Sequence, residues 1–278
     1  MSDSFKTSRK KAAFKNGTVY YRDTGHKSVV VLLHGFLEDA TMWNQYTKKL
    51  AGKSRRVIAV DLPGHGDTDC FGYVHEMSLM ADAVHGVLKK ERIRRVTLVG
   101  HSMGGYTAMA FAEKYPDMVK GICMFFSTAR DDSSEKKNVR GTVSKLIKLN
   151  HESFIRKNVP MLFMPEVRKR FAPEIRRLKL RASKMTKRAV LAANEGMRIR
   201  PDREIILRFA PYPVHFVIGR HDPVLLPESL MDQTKHGAHI TFDLFENCGH
   251  MGHIERRADC LRSIIKLANA ADSTEKQL

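Results

Sequence analysis

Val96-Thr97-Leu98-Val99-Gly100-His101-Ser102-Met103-Gly104-Gly105 is the stretch on which the reading of this chain turns. An apolar run of strand length ends in a glycine, and a helix-like run from Gly105 to Lys114 follows at once. A G-x-S-x-G between a strand and a helix makes a turn so tight that the serine backbone is strained and its hydroxyl stands above the sheet. Glycines two before and two after the serine leave room for the turn and for the facing helix. Glycine and serine are common, so the pattern alone is weak. The strand–turn–helix setting makes Ser102 a candidate nucleophile.

A serine hydroxyl is a poor nucleophile at neutral pH. It needs a histidine base, and the histidine needs a carboxylate to orient it. On a turn of this kind the partners follow in chain order, acid and then histidine. Val214-His215-Phe216-Val217-Ile218 leads into Gly219-Arg220-His221-Asp222. Ile240-Thr241-Phe242-Asp243-Leu244-Phe245 leads into Glu246-Asn247-Cys248-Gly249-His250. Asp222 is therefore assigned as the acid and His250 as the base. A tetrahedral intermediate also needs backbone donors for its oxyanion. The amide of Met103, just past the nucleophile, is one candidate. The amide of Phe36, after the early strand Val29–Leu33 and His34-Gly35, is the other.

With these pieces in place the chain resembles the α/β-hydrolase family, in its soluble, cap-bearing serine hydrolase branch. The resemblance rests on His34-Gly35-Phe36, Asp61-Leu62-Pro63-Gly64-His65-Gly66, Gly100 to Gly105, Gly219-Arg220-His221-Asp222 and Gly249-His250. It covers roughly Thr18 to Ala268. It implies a mostly parallel sheet flanked by helices, acyl-serine chemistry with water as second substrate, and no metal or organic cofactor. It does not fix the substrate.

The order of segments agrees. Short β-branched runs at Val19–Arg22, Val29–Leu33, Val57–Asp61, Val96–Val99, Ile122–Phe126, Val214–Ile218 and Ile240–Leu244 alternate with helical patterns such as Met77–Lys90. Alternation of this kind predicts an α/β fold with a parallel sheet, in which ligands bind past the strand C-termini. Ser102, Asp222, His250 and Phe36 all fall just after strands, on that one edge. Residues 131–204 interrupt the alternation and are too long for a plain loop. They are expected to form a helical cap inserted into a core of residues 1–130 and 205–278. A last helix is expected over about Arg256–Ala268, with a frayed tail from Ala271.

The chain has 278 residues, enough for one sizeable core plus an insertion. No run approaches membrane-spanning length, and Met1–Lys15 reads as a polar, basic arm without a secretory signal. Four scattered cysteines with no C-x-x-C fit reduced thiols and a cytoplasmic location. The formal net charge is +18, and residues 131–204 carry 20 Lys or Arg against 9 Asp or Glu. Only Phe171 interrupts the densest basic run, Arg168–Arg188, so stacking partners for nucleic acid are missing. A solvated helix face is the simplest reading; attraction to an anionic substrate or surface is the sharper one.

Each role has rival residues in the sequence. His253 competes with His250, but only His250 sits at the Gly-His junction after the strand. Asp243 lies inside its strand, and Asp131 and Asp132 follow an earlier one. His101 is too close in sequence to reach the Ser102 hydroxyl and reads as packing; His34 reads as shaping the oxyanion loop. Asp61–Gly66 reads as a structural turn, and no His/Asp/Glu spacing suggests zinc. Trp43, Phe163 and Met164 are the candidate pocket residues. A serine at the elbow argues against relatives that open epoxides or remove halides with an aspartate, and residues 131–204 hold no tyrosine. A small-molecule carboxylic ester is the expected substrate. Carbon–carbon bond hydrolysis or a lyase step on an anionic substrate, and a non-catalytic ligand receptor, are the alternatives.

Overall fold

The structure is a computed structural model that describes residues 6–275. One eight-stranded sheet organises it: β1 Ser8–Phe14, β2 Gly17–Gly25, β3 Ser28–Leu33, β4 Arg55–Val60, β5 Val96–His101, β6 Val119–Phe125, β7 Val214–Gly219 and β8 Ile240–Phe245. Their order across the sheet is β1-β2-β4-β3-β5-β6-β7-β8. From β4 through β8 neighbours run parallel, whereas β1 and β2 join antiparallel. The predicted α/β class and mostly parallel sheet hold. Central strands such as β5 are buried along their whole length, as a sheet covered on both faces requires.

The helices are α1 Asn44–Ala51, α2 Met77–Lys90, α3 Met103–Lys114, α4 Ser134–Met161, α5 Ala172–Ala182, α6 Lys187–Arg198, α7 Glu204–Phe209, α8 Pro227–Gln233, α9 Gly252–Glu255 and α10 Arg257–Glu275. Two apolar layers form the core. One packs α2 and α3 on one sheet face through Met80, Val84, Val87, Phe111 and Ile122. The other packs α1 and α10 on the opposite face through Trp43, Leu50, Phe125 and Ile264.

One sequence expectation fails at the C-terminal end, and a strand not marked in the sequence appears near the other. Within the basic segment, Ser8–Phe14 form strand β1, whose buried residue is Ala12, while its lysines face outward or pair, as Lys10 does with Asp23 at 2.6 Å. The expected frayed tail is helix as far as Glu275, anchored where Ala271 is buried and where Asp272 meets Lys120 at 2.9 Å. The three residues after Glu275 lie outside the described residues.

Residues between β6 and β7 form the helical insertion. Ser133 caps α4 by accepting from the Lys136 amide, and Thr186 caps α6 by accepting from the Ala189 amide. Asn150 breaks α4 with a non-helical φ of −156°, and its side chain accepts from the Ser153 amide at 2.8 Å, starting the helix afresh. Ile175, Leu178, Ala182, Met185 and Ala189 are buried together along α5, the turn after it and the start of α6. The insertion's two ends meet where the Arg203 amide donates to the Ala129 carbonyl at 2.9 Å. Among the described residues no helix is long and apolar enough to cross a membrane.

Candidate active site

The turn between β5 and α3 places Ser102 at φ +50°, in the left-handed region that a non-glycine residue occupies only under constraint. The constraint is visible. The Ser102 amide donates to the Phe125 carbonyl of β6 at 3.0 Å, and the Ser127 hydroxyl donates to the Ser102 carbonyl at 2.7 Å. Gly100 is demanded by closeness: a Cβ there would collide with the backbone of Gly104. Met103 opens α3, so its amide has no acceptor within the helix. Phe36 follows β3 outside any helix or strand.

Asp222 lies past β7 and His250 past β8, and the fold brings them together. His250 Nδ1 donates to Asp222 Oδ2 at 2.7 Å, with both side chains buried. The other oxygen, Oδ1, accepts from the amides of Val224 at 2.8 Å and Leu225 at 3.0 Å. Two backbone donors thus hold the carboxylate in one rotamer, and the carboxylate holds the imidazole. With its proton on Nδ1, the ring leaves the Nε2 lone pair free for a base's work.

The rival residues sit elsewhere. Asp243 pairs with His215 at 3.0 Å and accepts from Ser263 at 2.6 Å. Asp132 pairs with Arg140 and, at 2.8 Å, with Arg200. Asp131 pairs with Lys137 at 2.6 Å. Asp61 accepts from the Ala40 amide at 2.7 Å and the Asp67 amide at 3.3 Å, the work of a structural turn. His34 accepts from the Leu62 amide at 2.9 Å and so donates through Nδ1 to the Gly35 carbonyl.

Ser102, His250 and Phe36 line one cavity of about 400 Å³ beneath α4. Its apolar wall comes from the insertion, including Val143, Phe154, Leu162 and Met197. Trp43, Phe163 and Met164 do not line it. Trp43 is fully buried on the far side of the sheet, edge-on to Phe125 and Tyr46. Phe163 is fully buried in the packing of the insertion itself. The Met164 amide lies instead against Gly249. An aromatic in sequence looks the same whether it faces a core or a cavity; Phe154 is the insertion aromatic that faces this one.

The sequence pattern of the alpha/beta hydrolase family matches residues 30–262. The chain belongs to that family. Among solved structures it is similar to a thermophilic esterase from Thermogutta terrifontis, with malate bound, at 27% identity and a TM-score of 0.87, covering 96% of this chain and 99% of that one. The enol-lactonase of Burkholderia xenovorans shares the fold at 20% identity and a TM-score of 0.85, covering 94% of this chain and all of the other. A curated relative, the 2-hydroxy-6-oxononadienedioate/2-hydroxy-6-oxononatrienedioate hydrolase of Paraburkholderia phymatum, is 43% identical over 108 residues, 36% of this chain and 37% of the relative. Such matches span only about a third of the curated relatives' length. Hydrolase is the activity class that the family and these neighbours support.

This alpha/beta hydrolase also carries a buried network that sequence reading missed. Glu38 Oε2 accepts from the Gly35 amide at 3.1 Å and from His101 Nδ1 at 2.7 Å. His101 Nε2 lies 3.1 Å from the His250 carbonyl. Both partners of His101 are acceptors, so both ring nitrogens carry protons and the ring is an imidazolium. Burial opposes that charge, but Glu38 prevails and raises the pKa of His101. Burial likewise pushes Glu38 up, and the charge of His101 overcomes it, holding the carboxyl at about 2. His253, 3.3 Å from the second Glu38 oxygen, is pushed by burial down to about 3 and stays neutral. Among the described residues, Glu38, His101 and His253 are the group whose ligating atoms lie close enough to share a metal ion, within 4.8 Å of one another. Glu38 Oε2 and both ring nitrogens of His101 are engaged in a chain that ties the Phe36 loop to the His250 loop, whereas Glu38 Oε1 and the ring nitrogens of His253 have no hydrogen-bond partner among the described residues.

Proposed function

We propose that this protein is a serine hydrolase that cleaves carboxylic esters through an acyl-serine intermediate. One observation carries the reading: a strained elbow serine shares a cavity with a buried histidine whose Nδ1 is fixed 2.7 Å from a carboxylate. Ser102 Oγ attacks the ester carbonyl while His250 Nε2 takes its proton. Asp222 stabilises the imidazolium and keeps its tautomer. The Phe36 and Met103 amides face the oxyanion. The tetrahedral intermediate collapses, the alcohol leaves with the proton from His250, and Ser102 stays acylated. Water, deprotonated by His250, then attacks the acyl carbon, and the acid departs as Ser102 regains its proton. Residues 131–204 act as a cap supplying the acyl wall. Four free cysteines, three of them buried, fit a reducing compartment such as the cytoplasm.

Carbon–carbon bond hydrolysis is the second reading. It is favoured by the 43% identity to a hydrolase named for a dienedioate substrate. Turnover of short, medium and long p-nitrophenyl esters by wild type and Ser102→Ala separates the two. Ester hydrolysis lost by several orders of magnitude in the variant is the expected result. Activity within tenfold of wild type in Ser102→Ala removes the serine mechanism. Poor turnover of these esters and of their carboxylated counterparts, together with tight dicarboxylate binding, moves the assignment to carbon–carbon cleavage.

A further inference from the structure

The cavity that holds Ser102 is largely apolar along α4, with Asn158 a polar exception whose amide nitrogen donates to the Phe154 carbonyl at 2.8 Å, and at one end Lys136 and Arg140 line it one helical turn apart. Lys136 Nζ donates to the Val224 carbonyl at 2.9 Å, and no carboxylate among the described residues pairs with it. Val224 is two residues past Asp222, so this ammonium is seated on the loop that carries the candidate acid. The charges around it do not balance. Asp132 is one buried carboxylate facing two guanidiniums, Arg140 and Arg200. Arg200 is further held over the Tyr106 ring, 4.0 Å from its centroid, and Tyr106 lines the same cavity. Asp131 is occupied by Lys137. Arg140 and Arg200 therefore share one carboxylate, and Lys136 beside them pairs with none among the described residues. A lysine whose acceptor among the described residues is one peptide carbonyl, bordering a largely apolar slot, has donors left to offer an anionic ligand.

We propose that the substrate is an ester bearing a second, ionised carboxylate, which Lys136 binds with Arg140 beside it, while the apolar stretch between holds the connecting chain. The product of such a monoester is a dicarboxylate and an alcohol. This rests on the ester hydrolase reading and narrows it to a substrate class.

The test compares 4-nitrophenyl monoesters of succinic, glutaric and adipic acid with 4-nitrophenyl butyrate, pentanoate and hexanoate. Calorimetric binding of free glutarate and adipate is measured alongside. In wild type, kcat/KM for the carboxylated ester should exceed that of its equal-length partner at least tenfold at one chain length. Lys136→Met should lower that ratio at least tenfold and weaken dicarboxylate binding to match, and Lys136→Arg should retain most of both. Lys137→Met, outside the cavity, serves as the charge control and should leave the ratio in place. A ratio at or below one in wild type at every length, or a ratio unchanged in Lys136→Met, overturns the proposal even while ester hydrolysis stands. Lys136-dependent dicarboxylate binding without turnover of any ester upholds the anion site and overturns the ester reading instead.

Discussion

Glu38→Gln keeps the shape of a buried side chain and removes its charge. In the wild type the ionised carboxylate accepts from the Gly35 amide and from the His101 imidazolium. The gap between the ordinary 4.5 and about 2, at about 1.4 kcal/mol per pH unit, makes ionised Glu38 worth about 3 kcal/mol. Glutamine, a mimic of the protonated acid, should lose that amount. The sign follows from the direction of each shift. A depressed carboxyl contributes fully above its unfolded value of about 4.5 and loses its contribution as pH falls toward about 2. His101 is shifted up, so its share is present below about 6.5 and lost as pH rises through its folded value. The stability gap between wild type and variant should thus be widest from about pH 4.5 to neutrality and narrow on either side. Urea unfolding of both proteins at pH 3.5, 6 and 9 reads it directly. Turnover should suffer as well, because a neutral amide oxygen is a weaker acceptor than the carboxylate for the Gly35 amide and the His101 imidazolium, and the Phe36 loop loosens. A fall in kcat of about tenfold or more with KM nearly unchanged is expected, since about 1.4 kcal/mol is one decade in rate. A gap below about 1 kcal/mol at pH 6, or one that widens as pH drops below 4.5, refutes this account of the network.

Other expectations follow from features already described. Asp132→Asn leaves the buried Arg200 and its neighbour Arg140 without their shared carboxylate and should cost about 3 kcal/mol or more in urea unfolding; a loss under about 1 kcal/mol contradicts a buried ion network. Gly100→Ala drives a Cβ into the backbone of Gly104, so the elbow must shift; soluble protein, if recovered, should lack ester turnover and unfold at a lower temperature, and a variant matching wild type in both contradicts that packing. His253 is held neutral down to about 3, so its contribution is full above about 6.5 and declines on acidification. At pH 5 it should have lost about 2 kcal/mol, and His253→Gln should flatten the stability profile between pH 7 and 5; parallel profiles for the two proteins argue against a neutral buried histidine.

Much of the fold was legible because its strands are continuous β-branched runs, each closed by a turn, and because the elbow fixes which strand is central. Asp222 and His250 could be picked out because each falls within a few residues past a strand end, in the chain order acid and then histidine, and the structure brings the two side chains together. Their rivals could be set aside only by position along the chain, and the structure gives each another partner. Glu38 was not legible. Nothing in Gly35-Phe36-Leu37-Glu38 marks a carboxylate that folds back on its own loop, and its partner lies 63 residues away. His101 and His253 read as packing because burial and charge pairing depend on strands and loops far apart in sequence. A signal existed in retrospect: an acid three residues after the oxyanion-loop glycine and a histidine before the nucleophile are the ends of one pair. β1 was missed because a sheet-edge strand buries little, and seven residues with one buried alanine look like a basic arm.

The closure of the insertion at Ala129 and Arg203 separates two kinds of change. The candidate site residues Ser102, Asp222 and His250 follow the ends of β5, β7 and β8, strands that must keep register across the sheet. The residues between the two closing positions leave and re-enter at one point, so their length and content can vary without moving any strand. Such a segment behaves as a cassette. Exchanged whole between relatives, it would pass on a substrate preference in a single recombination event, with the chemistry beneath it inherited intact.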